Sequence, residues 1–486
     1  MNQEKPFMGQ PRGLATLFFT EMWERFSYYG MRAILLYFMY DTVTNGGLGL
    51  SKPTAVAIMS IYGSLVYMSS IVGGWISDRL LGSHKTVFYG GVFIMIGHIV
   101  LATPLGLPAL FLSMILIVIG TGMLKSNASG MVGHLYAPED LRRDAGFSIF
   151  YMGINIGGLL APIIVGMLGQ NVNYHLGFSI AAIGMFIGLV QYVIQGKTTL
   201  AHIGQAPTHP LVGAEKKKFF RGITLSLIFV IVLFGGAAVL NQLTVNFFIN
   251  SISVLGILLP VYYFTKMLRS KDVTPDEKKK VLAYIPLFLA GIVFWSLEEQ
   301  GSSILALFAA ERTQSTLFGL TIPASLYQSL NPLFVVILTP VFVGLWTKLG
   351  PRQPKTEVKF AIGLVLAGLS FILLMFPSLL FGVGQKVSPI WLVASFFIMI
   401  AGEMCLSPVG LSVTTKLAPK AFEAQTLAIW LLADASSQAI NAQIARFYTP
   451  STEGMYFAVV GGIAVVVGIL LYSAKKPIRR LIGNIH

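Results

Sequence analysis

One face of the first apolar segment carries an unusual set of ionisable and phenolic side chains. On an α-helix, residues 3, 4, 7, 8 and 11 positions apart share a face. Six residues have these spacings: Glu21, Glu24, Arg25, Tyr28, Tyr29 and Arg32. Each charge at the centre of a bilayer costs on the order of 3 kcal/mol, so intramembrane charges usually mark an ion or ligand pathway. For the Glu21–Arg25 pair alone, a structural ion pair that joins two helices is an equally good explanation.

The composition indicates that this segment lies in a membrane. The chain has 486 residues, of which 55% are hydrophobic and 11% charged, and its mean hydropathy is +0.74. These values predict an all-α polytopic membrane protein. Fourteen apolar stretches of about 20 residues, the length that crosses hydrocarbon, occur near residues 14–41, 54–80, 86–104, 109–132, 145–168, 174–195, 219–241, 245–268, 281–310, 323–347, 357–377, 389–416, 422–447 and 454–474.

The basic residues predict how these segments are oriented. With both termini in the cytoplasm, most of the 34 Lys and Arg residues fall in cytoplasmic segments, as expected for a multi-pass protein of the cell membrane. The outer loops hold Lys52, Arg312, Lys386 and Arg446. The formal charge of +14 therefore encodes topology, and we expect membrane lipid and no nucleic acid as partners. The polar residues 1–13 precede a charged span and are expected to remain uncleaved.

The chain divides into two weakly related halves. A glycine followed by a charged, glycine-containing turn closes the second span at residues 74–85, and a similar turn at 344–352 closes the second span of the last six. We predict a six-helix bundle over 1–196, cytoplasmic linkers with two inserted helices over 197–280, and a second six-helix bundle over 281–486. The inserted helices have no charge in their interior, so we expect them to face lipid. Duplicated halves around a central site are typical of secondary transporters.

Charged, amide and aromatic side chains in other spans could face the same central site. The candidates are Tyr67, Lys125, Asn155, Trp295, Glu298, Glu299, Asn331, Glu403, Trp430 and Asp434. Glu298 and Glu299 are adjacent and would repel each other if both were ionised, so one is expected to accept a proton near neutral pH. Asn331 precedes Pro332, where we expect the backbone to bend. Glu403 lies four residues before Ser407-Pro408, where we expect a helix to break.

The basic and acidic candidates are distributed unequally along the chain. The basic residues Arg25, Arg32 and Lys125 lie in the first six spans, whereas all the acidic candidates outside the first span lie in the last six. A cavity between the halves would have one positive and one negative wall. The ligand implied is a zwitterion whose charges are separated by a short backbone, roughly 7 Å for two extended residues. The aromatic candidates would bound side-chain pockets.

Motifs of several enzyme classes are missing from the sequence. It contains no His-Glu-x-x-His motif, no nucleotide-binding loop and no serine elbow, which argues against a membrane protease, a pump ATPase or a lipase. Its single cysteine, Cys405, allows no internal disulfide and no cysteine metal cluster. We therefore predict that the protein is not an enzyme and needs no cofactor.

Three motifs resemble those of the proton-dependent oligopeptide transporter family, within the major facilitator superfamily. They are E-x-x-E-R-F-x-Y-Y-G at residues 21–30, the Gly-Asp-Arg turn at 74–85, and F-Y-x-x-I-N-x-G at 150–157. The resemblance extends over essentially the whole chain, including the two inserted helices typical of bacterial members. It implies a monomer that imports di- and tripeptides, and peptide-like drugs, with protons as the coupling ion and by alternating access.

The resemblance also implies roles for individual residues. Arg25, Lys125 and Tyr29 would hold the peptide carboxylate, and Asn155, Asn331 and Glu403 its amino group. Glu298, opposite Arg32, would be a proton site, while Glu21 and Glu24 would exchange partners with Arg25 and Lys125. Lys52 and Glu311 would pair across the outer gate. Asp434 departs from the small or hydroxyl residue expected beside the pocket, which leaves the side-chain preference open and could favour basic side chains.

Two other functions stay open on the sequence alone. A transporter of the same fold could move another small anion or zwitterion, such as nitrate or a drug. A receptor or scaffold would bind a ligand without moving it.

Overall fold

The structure is a computed structural model that describes residues 6–137, 140, 142–317 and 319–482. Long α-helices dominate it. The first part of the chain forms α1 (Arg12–Tyr40), α2 (Lys52–Ile76), α3 (Ser83–Leu101), α4 (Leu107–Gly133), α5 (Arg143–Ala161), α6 (Met167–Asn171) and α7 (Tyr174–Thr199). The middle forms α8 (Gly213–Val239) and α9 (Val245–Arg269). The last part forms α10 (Pro275–Glu298), α11 (Ile304–Glu311), α12 (Leu330–Leu349), α13 (Thr356–Phe381), α14 (Ile390–Leu417), α15 (Glu423–Ile444), α16 (Glu453–Ser473) and α17 (Lys475–Ile482).

Short elements connect or extend these helices. Ser77–Leu81 and Pro162–Gly166 are π-helical turns. The 3₁₀ turns are Val43–Asn45, Glu299–Ser302, Ala324–Ser329, Gly350–Arg352, Lys420–Phe422 and Ala445–Phe447. Strands β1 (Thr316–Leu317) and β2 (Leu320–Thr321) form a small antiparallel hairpin.

Local sequence signals explain where several helices begin. At the start of α10, the Thr274 hydroxyl accepts a hydrogen bond from the Glu277 N–H at 3.3 Å, and the Glu277 carboxylate accepts one from the Thr274 N–H at 2.9 Å, a capping box. Pro332 lies in the first turn of α12, where a missing N–H leaves no hydrogen bond unmade. The 3₁₀ turn Ala324–Ser329 leads directly into this start, and the bend expected at Pro332 stays a prediction. The break expected at Pro408 is wrong, because α14 continues through it.

Twelve helical segments of the described residues are long and apolar enough to cross a membrane. The first helix, α1, falls outside this set because its interior charges are too dense, and α15 falls outside it too. Polar residues run along α15, with Asp434, Ser436, Ser437 and Gln438 close together. The chain is therefore polytopic, and the count of fourteen spans stays a prediction.

In the first part of the chain, α1 packs between α5 and α7, while α4 packs against α2 and α3. Glycines allow α5 to approach α1 closely: a Cβ at Gly157 would lie 2.3 Å from the Met22 carbonyl oxygen, and one at Gly153 2.9 Å from the Phe18 ring. These small residues serve helix packing. In the last part, α13 packs against α14 and α16, and α10 packs against α15.

The two inserted helices differ in their surroundings. α8 is almost entirely exposed, as expected for a lipid-facing helix. α9 instead packs against α15 and α2. The Ser436 hydroxyl donates to the Gly256 carbonyl at 2.7 Å, and the Gln443 amide donates to the Ser253 hydroxyl at 2.9 Å. Polar side chains of α15 therefore bind backbone and hydroxyl groups on one side of α9, while apolar residues such as Val254, Leu258 and Val261 stay exposed on it. The expectation that α9 faces lipid stays a prediction for this exposed surface.

The first and last parts of the chain meet through α2 with α15 and through α5 with α12. Among the described residues, the side-chain hydrogen bonds and ion pairs between the first and last parts of the chain lie in two places. One is beside Glu299, and the other is the end of the molecule where α1 ends. At that end, the Tyr37 hydroxyl donates to the Ala306 carbonyl at 3.1 Å, and the Ser329 hydroxyl donates to the Leu159 carbonyl at 3.0 Å. We call this end the closed end.

Candidate functional site

A cavity of about 340 Å³ lies between the first and last parts of the chain. Its walls come from α1, α2, α4 and α5 on one side and from α10, α12, α14 and α15 on the other. Most of the predicted site residues line it: Glu21, Arg25, Tyr28, Tyr29, Arg32, Tyr67, Lys125, Asn155, Trp295, Glu298, Glu299, Asn331, Glu403 and Asp434. Side chains scattered over the sequence thus share one chamber.

The Arg25 guanidinium is held by two carboxylates of its own helix. Its Nε lies 3.2 Å from Glu21 Oε1 and also contacts Glu24 Oε2. The rings of Tyr28 and Tyr29 flank it, with centroids 5.2 and 5.9 Å from Cζ, a distance at which cation–π attraction acts. Arg25 Nη2 is buried and has no hydrogen-bond partner among the described residues. The group therefore has spare donor capacity beside the cavity.

Glu24 is completely buried and does not line the cavity, unlike Glu21. Its position three residues from Glu21 turns it about 60° around the helix axis. Its contact with Arg25 is what connects it to the site.

Arg32 pairs with Glu299, and not with Glu298, which the family resemblance had placed opposite it. The Glu299 carboxylate also accepts hydrogen bonds from the Tyr67 hydroxyl at 2.8 Å and from the Gln438 amide at 2.6 Å. The correction has a physical reason: α10 ends at Glu298, and the 3₁₀ turn that begins at Glu299 aims this second carboxylate at Arg32. Arg32 and Tyr67 belong to the first part of the chain, so Glu299 joins the two parts.

Two amide side chains in the cavity are oriented by neighbours. Asn331 donates to Glu298 Oε1 at 2.6 Å, so this carboxylate is held within the last part of the chain. Asn155 donates to the Tyr151 carbonyl at 2.9 Å. Both amides line the cavity as predicted.

Lys125 lines the cavity with its ammonium 4.6 Å from the centroid of the Tyr67 ring. Lys125 takes part in none of the ion pairs among the described residues, all of which have N···O distances of 3.4 Å or less. Lys125 is half-buried, and an ammonium partly removed from water is costly without an anion. Lys125 is therefore suited to bind an anionic group of a ligand.

Trp430 does not line the cavity, which corrects the prediction of a pocket wall. Its ring fills the space over Gly410 and Gly291 and packs edge-on against Phe360, with centroids 6.3 Å apart. The next residue, Leu431, faces the cavity instead, because a step of one residue rotates a helical side chain by 100°.

The predicted pair Lys52–Glu311 is present at the closed end, with Nζ 2.6 Å from the carboxylate. It joins the start of α2 to the end of α11, and it is partly exposed. The contact is confirmed, and its gating role stays a prediction.

Gln438 lies outside the cavity lining, four residues after Asp434 on the polar face of α15, and it binds Glu299 from there. Two residues that do line the cavity were not proposed as site residues from the sequence. Tyr151 belongs to the motif that contains Asn155 and lines the cavity too. Gln328 lies in a 3₁₀ turn, where no helical spacing could reveal it. Within the described residues, no group of three or more His, Cys, Asp and Glu side chains is placed to hold a metal ion.

Many membrane-spanning helices around one central chamber, closed at one end and lined by opposite charges from two parts of the chain, are the architecture of a membrane transporter. Comparisons with known proteins specify it further. The model of the POT family matches residues 84–460. A relative named Di-/tripeptide transporter, from Lactococcus lactis subsp. cremoris, is 53% identical and covers 99% of both chains.

Solved structures are similar over nearly the same length. The crystal structure of a peptide transporter POT in complex with sulfate is 55% identical, covers 98% of this chain and 97% of its own, and superposes with a TM-score of 0.96. A mutant of a peptide transporter POT in complex with alafosfalin has the same identity and coverage and a TM-score of 0.94. The chain belongs to the POT family, which confirms the resemblance found in its sequence. It is a transporter and not an enzyme.

Proposed function

We propose that this protein imports di- and tripeptides, and peptide-like drugs, together with protons by alternating access across the cell membrane. The observation that supports the proposal is the cavity itself, which Arg25 and Lys125 line from one part of the chain and Glu403 and Asp434 from the other. The relative from Lactococcus lactis subsp. cremoris, named as a di-/tripeptide transporter, supports the substrate class.

A peptide would lie between the two walls. The peptide carboxylate would be bound by Lys125, which makes no ion pair among the described residues, and by Arg25 with help from Tyr29. The amino group would be bound by Glu403, Asn155 and Asn331. Charge-assisted hydrogen bonds of this kind are the strong ones. The peptide charges then replace internal ion pairs, and Glu21 and Glu24 can exchange Arg25 for Lys125.

Glu299 is the better proton site than Glu298. Its carboxylate is the partner of Arg32 across the two parts, whereas Glu298 is held by Asn331 within one part. Protonation of Glu299 removes the charge that Arg32 needs, so the parts can separate. Binding and release of a proton would thereby bias an equilibrium between two conformations.

The finer topology belongs to the same proposal. α1 and α15 would also cross the membrane, giving fourteen spans, two six-helix bundles with the boundaries predicted above, and cytoplasmic termini. The closed end would then face outward, with Lys52–Glu311 as part of the outer gate. Both walls of the cavity come from one chain, which supports a functional monomer.

Uptake into proteoliposomes tests the proposal. When the outside is more acidic than the lumen, labelled dialanine should accumulate inside the proteoliposomes. Unlabelled dialanine should compete with this uptake more strongly than nitrate. Glu299→Gln should abolish gradient-driven accumulation while sparing peptide-for-peptide exchange, because it mimics the protonated state permanently. Glu298→Gln is the matched control and should retain at least part of the accumulation.

Three outcomes would contradict the proposal. Full gradient-driven uptake by Glu299→Gln would remove Glu299 as the proton site. Saturable binding without accumulation in the unmodified protein would indicate a receptor or scaffold. Competition by nitrate and none by dialanine would indicate a transporter of another anion.

A further inference from the structure

Asp434 is a cavity carboxylate without a visible role in holding the peptide backbone or in joining the two parts of the chain. It lines the cavity from α15, yet only 5% of its surface is exposed. Its Oδ1 atom is buried and has no hydrogen-bond partner among the described residues. A buried carboxylate that lacks partners is costly, so the position favours a ligand that supplies a donor.

The balance of charge around the cavity indicates the kind of donor. The basic residues of the lining are Arg25, Arg32 and Lys125, and its carboxylates are Glu21, Glu298, Glu299, Glu403 and Asp434. Arg25 is taken by Glu21 and Arg32 by Glu299, while the Asn331 amide binds Glu298. Lys125, Glu403 and Asp434 remain without an ion pair among the described residues. A peptide backbone supplies one carboxylate for Lys125 and one ammonium for Glu403. It supplies no second cation for Asp434.

We propose that Asp434 binds the cationic side chain of the cargo, so that the protein prefers peptides containing lysine or arginine. This inference rests on the proposed function. The charges acting on Asp434 are those of Lys125 and Arg32, which oppose its own, and of Glu299 and Glu403, which share its sign. Lys125 is engaged by the peptide carboxylate and Arg32 by Glu299. A second cation from the cargo therefore meets an unpaired carboxylate.

Two other roles of Asp434 make different predictions. If it served as the resting partner of Lys125, or if it carried a coupled proton, its removal would affect all peptides by the same factor. A side-chain site affects only cationic peptides. The comparison of peptides within one variant therefore distinguishes the roles.

The test is competition against labelled dialanine in proteoliposomes. The competitors are Ala-Lys, Lys-Ala, Ala-Met, Met-Ala and Ala-Glu, where methionine is the neutral side chain of similar length. In the unmodified protein, at least one of the two lysine peptides should compete about tenfold better than its methionine counterpart, since close charge pairs at protein interfaces couple by at least this amount. Ala-Glu should be the weakest competitor.

The variant Asp434→Asn keeps the size of the side chain and removes its charge. It should bring Ala-Lys and Lys-Ala level with Ala-Met and Met-Ala and strengthen Ala-Glu, while dialanine uptake persists. Asp434→Ser is a second variant, and it should show the same loss of preference if asparagine perturbs folding. An unchanged lysine-to-methionine ratio in both variants, or an equal loss for every peptide, overturns the proposal. Failure of every peptide to compete in the unmodified protein contradicts the proposed function instead.

Discussion

Two buried arginine–carboxylate clusters lie two turns apart on α1, and they differ in what they join. Arg25 binds Glu21 and Glu24, which belong to its own helix. Arg32 binds Glu299 in the turn after α10, in the other part of the chain. A rigid movement of one part relative to the other leaves the Arg25 cluster intact and must break the Arg32–Glu299 pair.

In the peptide-free protein, the Arg25 cluster is therefore independent of how the two parts of the chain are arranged, whereas the Arg32–Glu299 pair depends on it. Removal of one partner from a buried ion pair is strongly destabilising because it leaves an uncompensated charge. In the peptide-free protein, the Arg25 cluster pairs its charges within one helix, whichever way the two parts of the chain lie. The Arg32 and Glu299 charges are paired only while the closed end is closed. We therefore expect substitutions in the first cluster to change overall stability, and substitutions in the second to change the balance between conformations.

The largest effect is expected for Arg25→Ala. It leaves Glu21 and Glu24 buried and unpaired, which should lower the free energy of unfolding by about 3–5 kcal/mol. The measurement is chemical or thermal unfolding of the peptide-free protein in detergent.

Arg32→Ala is the matched control for that measurement. Glu299 keeps Tyr67 and Gln438 as donors and can reach water when the parts separate, so the loss of stability should be smaller. An equal or larger loss for Arg32→Ala would break the distinction between the two clusters.

The second largest effect is expected for Glu299→Gln. Hydrogen bonds to charged groups contribute about 1.5–3 kcal/mol, so loss of this charge should raise the ratio of open to closed protein about tenfold or more. Spin labels can be attached at Thr44 and Ser315, which are exposed on opposite sides of the closed end, in a Cys405→Ser background. Electron–electron double resonance then measures the ratio of open to closed protein as the distribution of distances between the two labels.

Glu298→Gln serves as the control for the spin-label measurement. Glu298 and its partner Asn331 both lie in the last part of the chain, so their bond does not resist separation. Its distance distribution should match that of the unmodified protein. A shift equal to that of Glu299→Gln would mean that charge anywhere near α10 controls closure.

The same pair of carboxylates defines the limit of what the sequence could predict. The helical face of α1 was predictable, because regular spacing alone brings Glu21, Arg25 and Arg32 to one side. The partner of Arg32 was not, since Glu298 and Glu299 are neighbours and the change from α-helix to 3₁₀ turn between them leaves no clear sequence signal.

The fold shows a similar division. Long apolar stretches predicted most of the helices that could cross a membrane, because length and hydropathy alone decide them. Which distant helices contact each other depends on side-chain packing, and the spacing of residues along one helix does not reveal it. Trp430 was predicted to face the cavity, yet the glycines opposite it, Gly291 and Gly410, leave a space that its ring fills.

Tyr67→Phe should have a smaller effect in the same direction as Glu299→Gln. It removes one of the donors to Glu299 and leaves Arg32 in place, so closure should weaken by about 1 kcal/mol. Tyr62→Phe is the control, because the buried Tyr62 hydroxyl has no partner among the described residues. A shift of the spin-label distances by Tyr62→Phe equal to that by Tyr67→Phe would attribute the effect to packing.

Lys52→Ala should have the smallest effect. Lys52–Glu311 joins the two parts as Arg32–Glu299 does, but its side chains are 47% and 28% exposed. Exposed ion pairs contribute about 0.2–1 kcal/mol and are screened by salt. The shift of the spin-label distances should therefore be slight at low salt and vanish in 1 M KCl, whereas that of Glu299→Gln should persist. Lys279→Ala, which removes an exposed pair within α10, should leave the distances unchanged. If Lys52→Ala opened the protein as far as Glu299→Gln does, closure would depend on the exposed Lys52–Glu311 pair rather than on the buried Arg32–Glu299 pair. Protonation inside the cavity could not then control closure.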